Sequence, residues 1–221
     1  RRKELAPQKL CSRNFTHQLG SKIMKNLTWP DDYINKVLNM DCLEVMRDIK
    51  DFSEVVIITD PPYPDYHTEL YGYEDGIINF LKDIPCKQLV FWSSKVDFPL
   101  DYTAIHIWNK KTGVGSMYER IFERNGGEAY RVFDAYLLNS TVAANYNHEI
   151  FFNHPSQKPL KLMSKLIEEY SEPNNIIIDP FAGSGSTLVA AKQLGRNYIG
   201  IEISPKYVAI ANERLRQDIL L

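Results

Sequence analysis

The chain has 221 residues, 44% hydrophobic and 24% charged, a balance that suits one α/β domain with a proper core and excludes low-complexity or fibrous proteins. Its formal net charge of -2 lacks the basic excess of many nucleic-acid binders, so any phosphate contact must be a local patch. Cys11, Cys42 and Cys86 are odd in number, widely spaced and without a Cys-x-x-Cys pair, which argues against a disulfide framework or a metal site and for a reducing, cytoplasmic setting; no run approaches a membrane span and no secretory signal is evident.

Residues 1–23 are basic and polar with little periodicity, and are expected to form a flexible N-terminal extension ahead of a single domain over 24–221. An arm that touches phosphates, a processed extension and a cloning remnant all fit, and a disordered or peripheral arm is the expectation. Asp41 to Ile49 reads as a short helix with Leu43, Met46 and Ile49 on one face. Asp41 with Glu44 three residues later is a capping-box pattern, so Asp41 is first an N-cap.

Val55 to Thr59 is a β-branched, apolar run expected to form a buried parallel strand, and it delivers Asp60-Pro61-Pro62-Tyr63 at its carboxyl end. Open parallel sheets place ligands at such ends. The prolines stiffen the backbone and remove two donors, leaving Asp60 and the neighbouring carbonyls as acceptors with Tyr63 as an aromatic plate. This set suits the amino group of a flat base.

The stretch 65–80 reads as an aromatic loop carrying Tyr66, His67, Tyr71 and Tyr73, either a lid over substrate or a cover for the sheet edge; His67 reads as a surface histidine. Strands are expected at Gln88–Trp92 and Ala104–Asn109. Beyond Trp108, Lys110, Lys111, Arg120, Arg124 and Arg131 interleave with Tyr118, Phe122 and Tyr130. This is the candidate phosphate-binding region, against an ordinary solvated face in which Glu119, Glu123 and Glu128 offset the charge.

Tyr146 to Asn153 is a further strand candidate, and Pro159 is placed for the first turn of a helix with an apolar stripe of Leu160, Met163, Ile167 and Tyr170. Ile176 to Ile178 form a second buried strand ending at Asp179, followed by the turn Gly183-Ser184-Gly185 and a helix with Leu188, Ala191 and Leu194 at helical spacing and Gly195 as its stop. Tyr198 to Ile201 make the next strand and leave Glu202 about 20 residues beyond the glycine turn, the spacing at which a carboxylate meets a ribose. No Lys follows the glycines and the third glycine of the dinucleotide fingerprint is missing, so nucleoside triphosphate and NAD are disfavoured. Asp179 before the turn repels pyrophosphate and suits an ammonium or sulfonium, which points to S-adenosylmethionine.

Asp60-Pro61-Pro62-Tyr63 together with Asp179-Pro180-Phe181-Ala182-Gly183-Ser184-Gly185 resembles the motif pair of amino-directed, S-adenosylmethionine-dependent DNA methyltransferases. The catalytic motif comes first, which resembles the permuted β class, and the resemblance spans roughly 38–216. It implies a Rossmann-like α/β fold with a mostly parallel sheet flanked by helices. It implies methyl transfer to adenine N6 in DNA, as a duplex with a flipped base or a single strand, in a bacterial or phage-encoded enzyme of restriction-modification type.

By the same resemblance Asp60, Pro61, Pro62 and Tyr63 are catalytic. Asp41, Cys42, Asp179 to Gly185, Glu202 and Ile203 line the cofactor, with Asp41 near its adenine. The Gln157-Lys158-Pro159 run is similar to the family segment that walls the methionine end, where Lys158 pairs with a carboxylate or, otherwise, lies in solvent. Tyr66, Lys110, Lys111, Arg120 and Arg124 are the candidate substrate contacts.

Many β-class members carry a target-recognition segment between the strand matching Tyr146 to Asn153 and the segment matching His154 to Pro159; here the two abut. Specificity must come from Lys110 to Asn145, from a second subunit, from a specificity partner, or be weak. Cytosine N4, an RNA adenine, and a non-catalytic subunit stay as alternatives, as does a dehydrogenase supported only by the Gly183 to Glu202 spacing.

Overall fold

The computed structural model describes residues 28–62, 75–111, 117–137, 150, 152, 154 and 156–217. Tyr63, Tyr66, His67, Tyr71, Tyr73 and most of the expected strand at 146–153 lie outside the described residues. Among the described residues eight strands form one sheet: β1 (Lys36–Leu38), β2 (Val55–Thr59), β3 (Lys87–Trp92), β4 (Ala104–Asn109), β5 (Tyr118–Arg124), β6 (Val132–Asp134), β7 (Ile176–Asp179) and β8 (Asn197–Ile201). The helices are α1 (Cys42–Asp48), α2 (Asp75–Asp83), α3 (Leu160–Tyr170), α4 (Ser186–Gln193) and α5 (Pro205–Arg216).

The strand order is β1-β8-β7-β2-β3-β5-β4-β6, with β5 running against both of its neighbours and every other pairing parallel. Alternation along each strand sorts side chains to two faces. Val56, Ile58, Leu89, Phe91, Ile121 and Ile177 pack with α3, α4 and Leu215 of α5. Val55, Ile57, Val90, Trp92, Phe122 and Ile178 pack with Val45 and Met46 of α1 and with α2. Each fully buried aliphatic side chain contributes about 1.5–3 kcal/mol of transfer free energy. These continuous apolar strands are stable only with helices on both sides.

The expected strands at 88–92, 104–109, 176–178 and 198–201 and the helices after Asp41, Pro159 and Gly185 all form within a residue or two. Leu160, Met163, Ile167 and Tyr170 are buried as the stripe requires. Pro159 sits at the N-cap rather than inside the first turn. Gly195 takes φ +67 just after Leu194 closes α4.

Two expectations are corrected. The loop read over 65–80 becomes helix from Asp75, because Ile77, Ile78 and Leu81 bury against α1, where a Cβ on Gly76 would come within 2.8 Å of Leu43. The charged segment Tyr118–Arg124 is a strand inside the sheet, not a solvated face.

Candidate active site

Neighbouring strands β2 and β7 send the chain in opposite directions from their carboxyl ends. From β2 it passes through α2, on one face, to β3; from β7 it passes through α4, on the other face, to β8. Connections that diverge in this way open a crevice at the strand ends, the place where open α/β sheets hold ligands. Asp60 and Asp179 stand on its two sides.

Asp179 is buried and accepts hydrogen bonds from the Thr187 hydroxyl at 2.6 Å and the Phe181 N–H at 3.1 Å. Burial, with Asp60 adding its negative charge, pushes the Asp179 pKa up to about 7. The turn that follows requires glycine: Gly183 and Gly185 take φ +50 and +79, and a Cβ on Gly185 would come within 2.8 Å of the Ala211 Cβ. The Gly183 N–H donates to Glu202 Oε2 at 2.9 Å and the Ser204 N–H to Oε1 at 2.7 Å. Burial raises the Glu202 pKa, and the backbone of its own segment is pinned by Asn39, whose amide donates to the Glu202 and Ile203 carbonyls at 2.9 and 3.0 Å.

Asp41 caps α1, accepting the Leu43 N–H at 2.8 Å, as the capping pattern predicts. Cys42 packs at the edge of the core together with Phe181, and Ile203 is exposed beside Glu202. Ala182 is buried, while Pro61 and Pro62 continue from Asp60 at the end of β2.

Lys158 is not in solvent: its side chain is only 11% exposed. Its ammonium contacts the Asp60 carboxylate and stands 3.5 Å from Glu119, beneath the rings of Phe91 and Trp108. Burial works against the charge, but Asp60 and Glu119 outweigh it and hold the Lys158 pKa above the ordinary lysine value.

The basic region is largely tied down inside the protein. Arg124 is buried and donates to the carbonyls of Leu81, Lys82 and Asp101 and to Gln88. Arg120 donates to the carbonyls of Ser93 and Val96 and lies over Phe122. Both arginines thus brace the fold, whereas the sequence offers them as substrate contacts. Lys110 pairs with Glu119 at 3.0 Å, and the more exposed Lys111 pairs with Asp134 at 2.8 Å.

Sequence reasoning missed three residues at this site. Arg214 of α5 is fully buried and donates to the Ser184 carbonyl at 2.8 Å and to the Ser184 and Ser186 hydroxyls at 3.1 and 3.0 Å, locking the glycine turn. Its helical spacing from Ala211 placed it on the inner face, but a terminal arginine reads as solvated. His154 is buried with Nε2 facing Gly183, and burial, then Lys158 and Arg214, push its pKa down to about 4. Glu119, in the sequence, reads only as charge compensation. Among the described residues no group of His, Cys, Asp and Glu could hold a metal.

A family model described as DNA methylase, of the N6/N4 class, matches residues 86–213, more than half of the chain. The chain belongs to that family. The motif resemblance is thereby borne out at family level. DNA adenine methyltransferase YhdJ of Escherichia coli is 29% identical over 165 residues, covering 60% of this chain and 55% of its own length. Type II methyltransferase M.HinfI of Haemophilus influenzae is 52% identical over 64 residues, 29% of this chain and 18% of that protein.

The chain spans between 18% and 55% of the length of these curated relatives. Among solved structures, the M1.HpyAVI complex with SAM superposes with a TM-score of 0.55 at 22% identity, covering 82% of this chain and 99% of that one. The cytosine-N4-specific PvuII DNA methyltransferase gives 0.59 at 17% identity, covering 84% and 87%. These likenesses establish the Rossmann-like methyltransferase fold.

Proposed function

We propose that this chain transfers a methyl group from S-adenosylmethionine to the exocyclic N6 of adenine in DNA, by direct attack of the amino nitrogen. The observation that carries the reading is that Asp60 follows β2 and Asp179 ends the adjacent parallel strand β7, near enough for the charge of one to act on the other, at the strand ends where the connections diverge. The base acceptor and the cofactor turn are thus presented to one cleft.

The donor set fits the cofactor. A carboxylate whose proton affinity is raised by burial, with a second carboxylate beside it, favours a cationic group between them. Glu202 keeps lone pairs for hydroxyls after accepting two backbone N–H groups. Asp41, Cys42, Phe181 and Ile203 border the adenine end, and Pro180, Ala182 and Ser184 shape the turn. When bound, S-adenosylmethionine supplies the electrophilic methyl group.

The protein's part is to place acceptors. Asp60 and the carbonyls before the prolines accept the amino protons of the target base and favour a nitrogen gaining positive character. Tyr63, outside the described residues, is the aromatic on which the base stacks. Asp at position 60, where cytosine-N4 enzymes of the family usually carry Ser, supports adenine, as does the name of the YhdJ relative. DNA specificity comes from the Lys110 to Asn145 region, from a second subunit or a specificity partner, or is weak.

The test is incubation of the purified chain with tritiated methyl donor and unmethylated duplex DNA beside Asp60→Ala, followed by digestion to nucleosides. Label in N6-methyldeoxyadenosine from the native chain alone is the expected result. Label in N4-methyldeoxycytidine, or equal label from the variant, overturns the assignment of base or of Asp60.

A further inference from the structure

We propose that Glu119 is a positioning residue for methyl transfer, holding Lys158 in place so that Asp60 is offered to the target amino group as a fixed anionic acceptor. This rests on the methyltransferase reading of the β2–β7 crevice and goes beyond it, to a carboxylate on a strand that neither motif contains.

The geometry begins with β5. Alternation sends Glu119, Ile121 and Glu123 to the α3 face of the sheet, the same face that receives Phe91 and Trp108. Glu119 is only 8% exposed, yet it is held at 3.0 Å from Lys110 and 3.5 Å from Lys158. Lys158 in turn contacts Asp60 and sits 4.9 Å from the Phe91 ring centroid and 5.9 Å from that of Trp108. The result is a line of alternating charges, Lys110, Glu119, Lys158 and Asp60, along one edge of the sheet, at the carboxyl ends of β4 and β2 and the amino end of the antiparallel β5.

A lysine is a poor positioning device alone, because its ammonium swings on a flexible four-carbon stem. Two aromatic faces and a second carboxylate remove that freedom. Sharing the ammonium between two carboxylates has a further consequence. Lys158 and a target amino group both donate to Asp60, and a lysine anchored also by Glu119 occupies only part of that carboxylate's acceptor capacity. Without Glu119 the full attraction of the ammonium falls on Asp60 and competes with the base. Burial of the set in a low-dielectric site makes each of these couplings stronger than at the surface.

The experiment uses the full chain with S-adenosylmethionine and unmethylated duplex DNA, comparing the native protein with Glu119→Gln, Glu119→Asp, Lys158→Met and the Glu119→Gln/Lys158→Met double variant. E119Q is expected to lower kcat on the order of tenfold, while KM for DNA and calorimetric affinity for S-adenosylhomocysteine stay within about twofold. E119D, which keeps the charge, recovers most of the loss. The double variant is no slower than K158M, because Glu119 acts through Lys158.

Native kcat in E119Q, a loss that adds fully to that of K158M, or a loss confined to cofactor affinity overturns the role. Should E119Q not fold, E119D carries the same comparison, with a smaller fall in kcat at unchanged affinity. A native chain that methylates no DNA overturns the methyltransferase reading itself, an outcome distinct from native activity that Glu119 does not influence.

Discussion

The backbone N–H of Gly183 donates to Glu202 Oε2 across 2.9 Å, tying the turn after β7 to the residue that follows β8. One carboxylate thus fixes the turn's shape as well as offering acceptors to a ligand. Glu202→Ala leaves the buried Gly183 N–H and the part-buried Ser204 N–H without this acceptor, at roughly 1–3 kcal/mol for the buried one. A urea midpoint lowered at unchanged m-value, together with loss of S-adenosylhomocysteine binding by calorimetry, is the expected outcome. Native stability in the variant contradicts the structural half of the assignment.

Asp179 makes stability and cofactor affinity respond to pH in opposite senses. Its pKa is raised from 3.8 to about 7, so the folded state holds a proton that the unfolded chain has released between those values. Its contribution to stability is fully present below pH 3.8 and is lost as pH rises to about 7. Asp179→Asn removes this dependence, seen as the difference between native and variant melting curves across that window. A cationic ligand prefers the carboxylate, so S-adenosylmethionine affinity of the native chain rises as pH climbs toward 7 and then levels off.

His154 works the other way over part of the same range. Its pKa is depressed from 6.5 to about 4, so its contribution is present above pH 6.5 and is lost as pH falls to about 4. His154→Gln is expected to flatten the acid limb of the melting curve between those values. An unchanged limb means that the buried imidazole is not its source.

Gly185 holds a left-handed backbone at φ +79, with Ala211 2.8 Å from where a Cβ would stand. Gly185→Ala therefore meets strain and a clash together, at roughly 2 kcal/mol or more. Chemical denaturation measures this directly, and the companion Gly127→Ala, where no atom lies within 4 Å of the added Cβ, is the control expected to cost little.

Arg124 separates a strut from a nucleic-acid contact. Arg124→Ala strips donors from the buried Leu81 carbonyl and Gln88 and from the part-buried Lys82 carbonyl and is expected to destabilise the fold by about 3 kcal/mol. The salt dependence of DNA binding by the folded variant should keep its native slope, because no phosphate contact is removed. A slope reduced by about one unit returns Arg124 to the phosphate-binding set.

The local chemistry of this chain was legible without coordinates. Val55 to Thr59 and Ile176 to Ile178 announce buried parallel strands because β-branched runs fit only a sheet covered on both faces, and Gly183 and Gly185 mark a turn because the backbone there needs positive φ. Asp60 and Asp179 could be placed at strand ends for the same reason. What the sequence could not decide is which charged groups meet across the sheet. Arg124, Glu119 and Arg214 look alike in a charge pattern, yet one braces α2, one holds a lysine and one locks a turn more than 25 residues away. Secondary structure follows from neighbours along the chain, whereas ion pairs between Lys158, Asp60 and Glu119 depend on strand order and register, which bring together residues that local sequence leaves far apart.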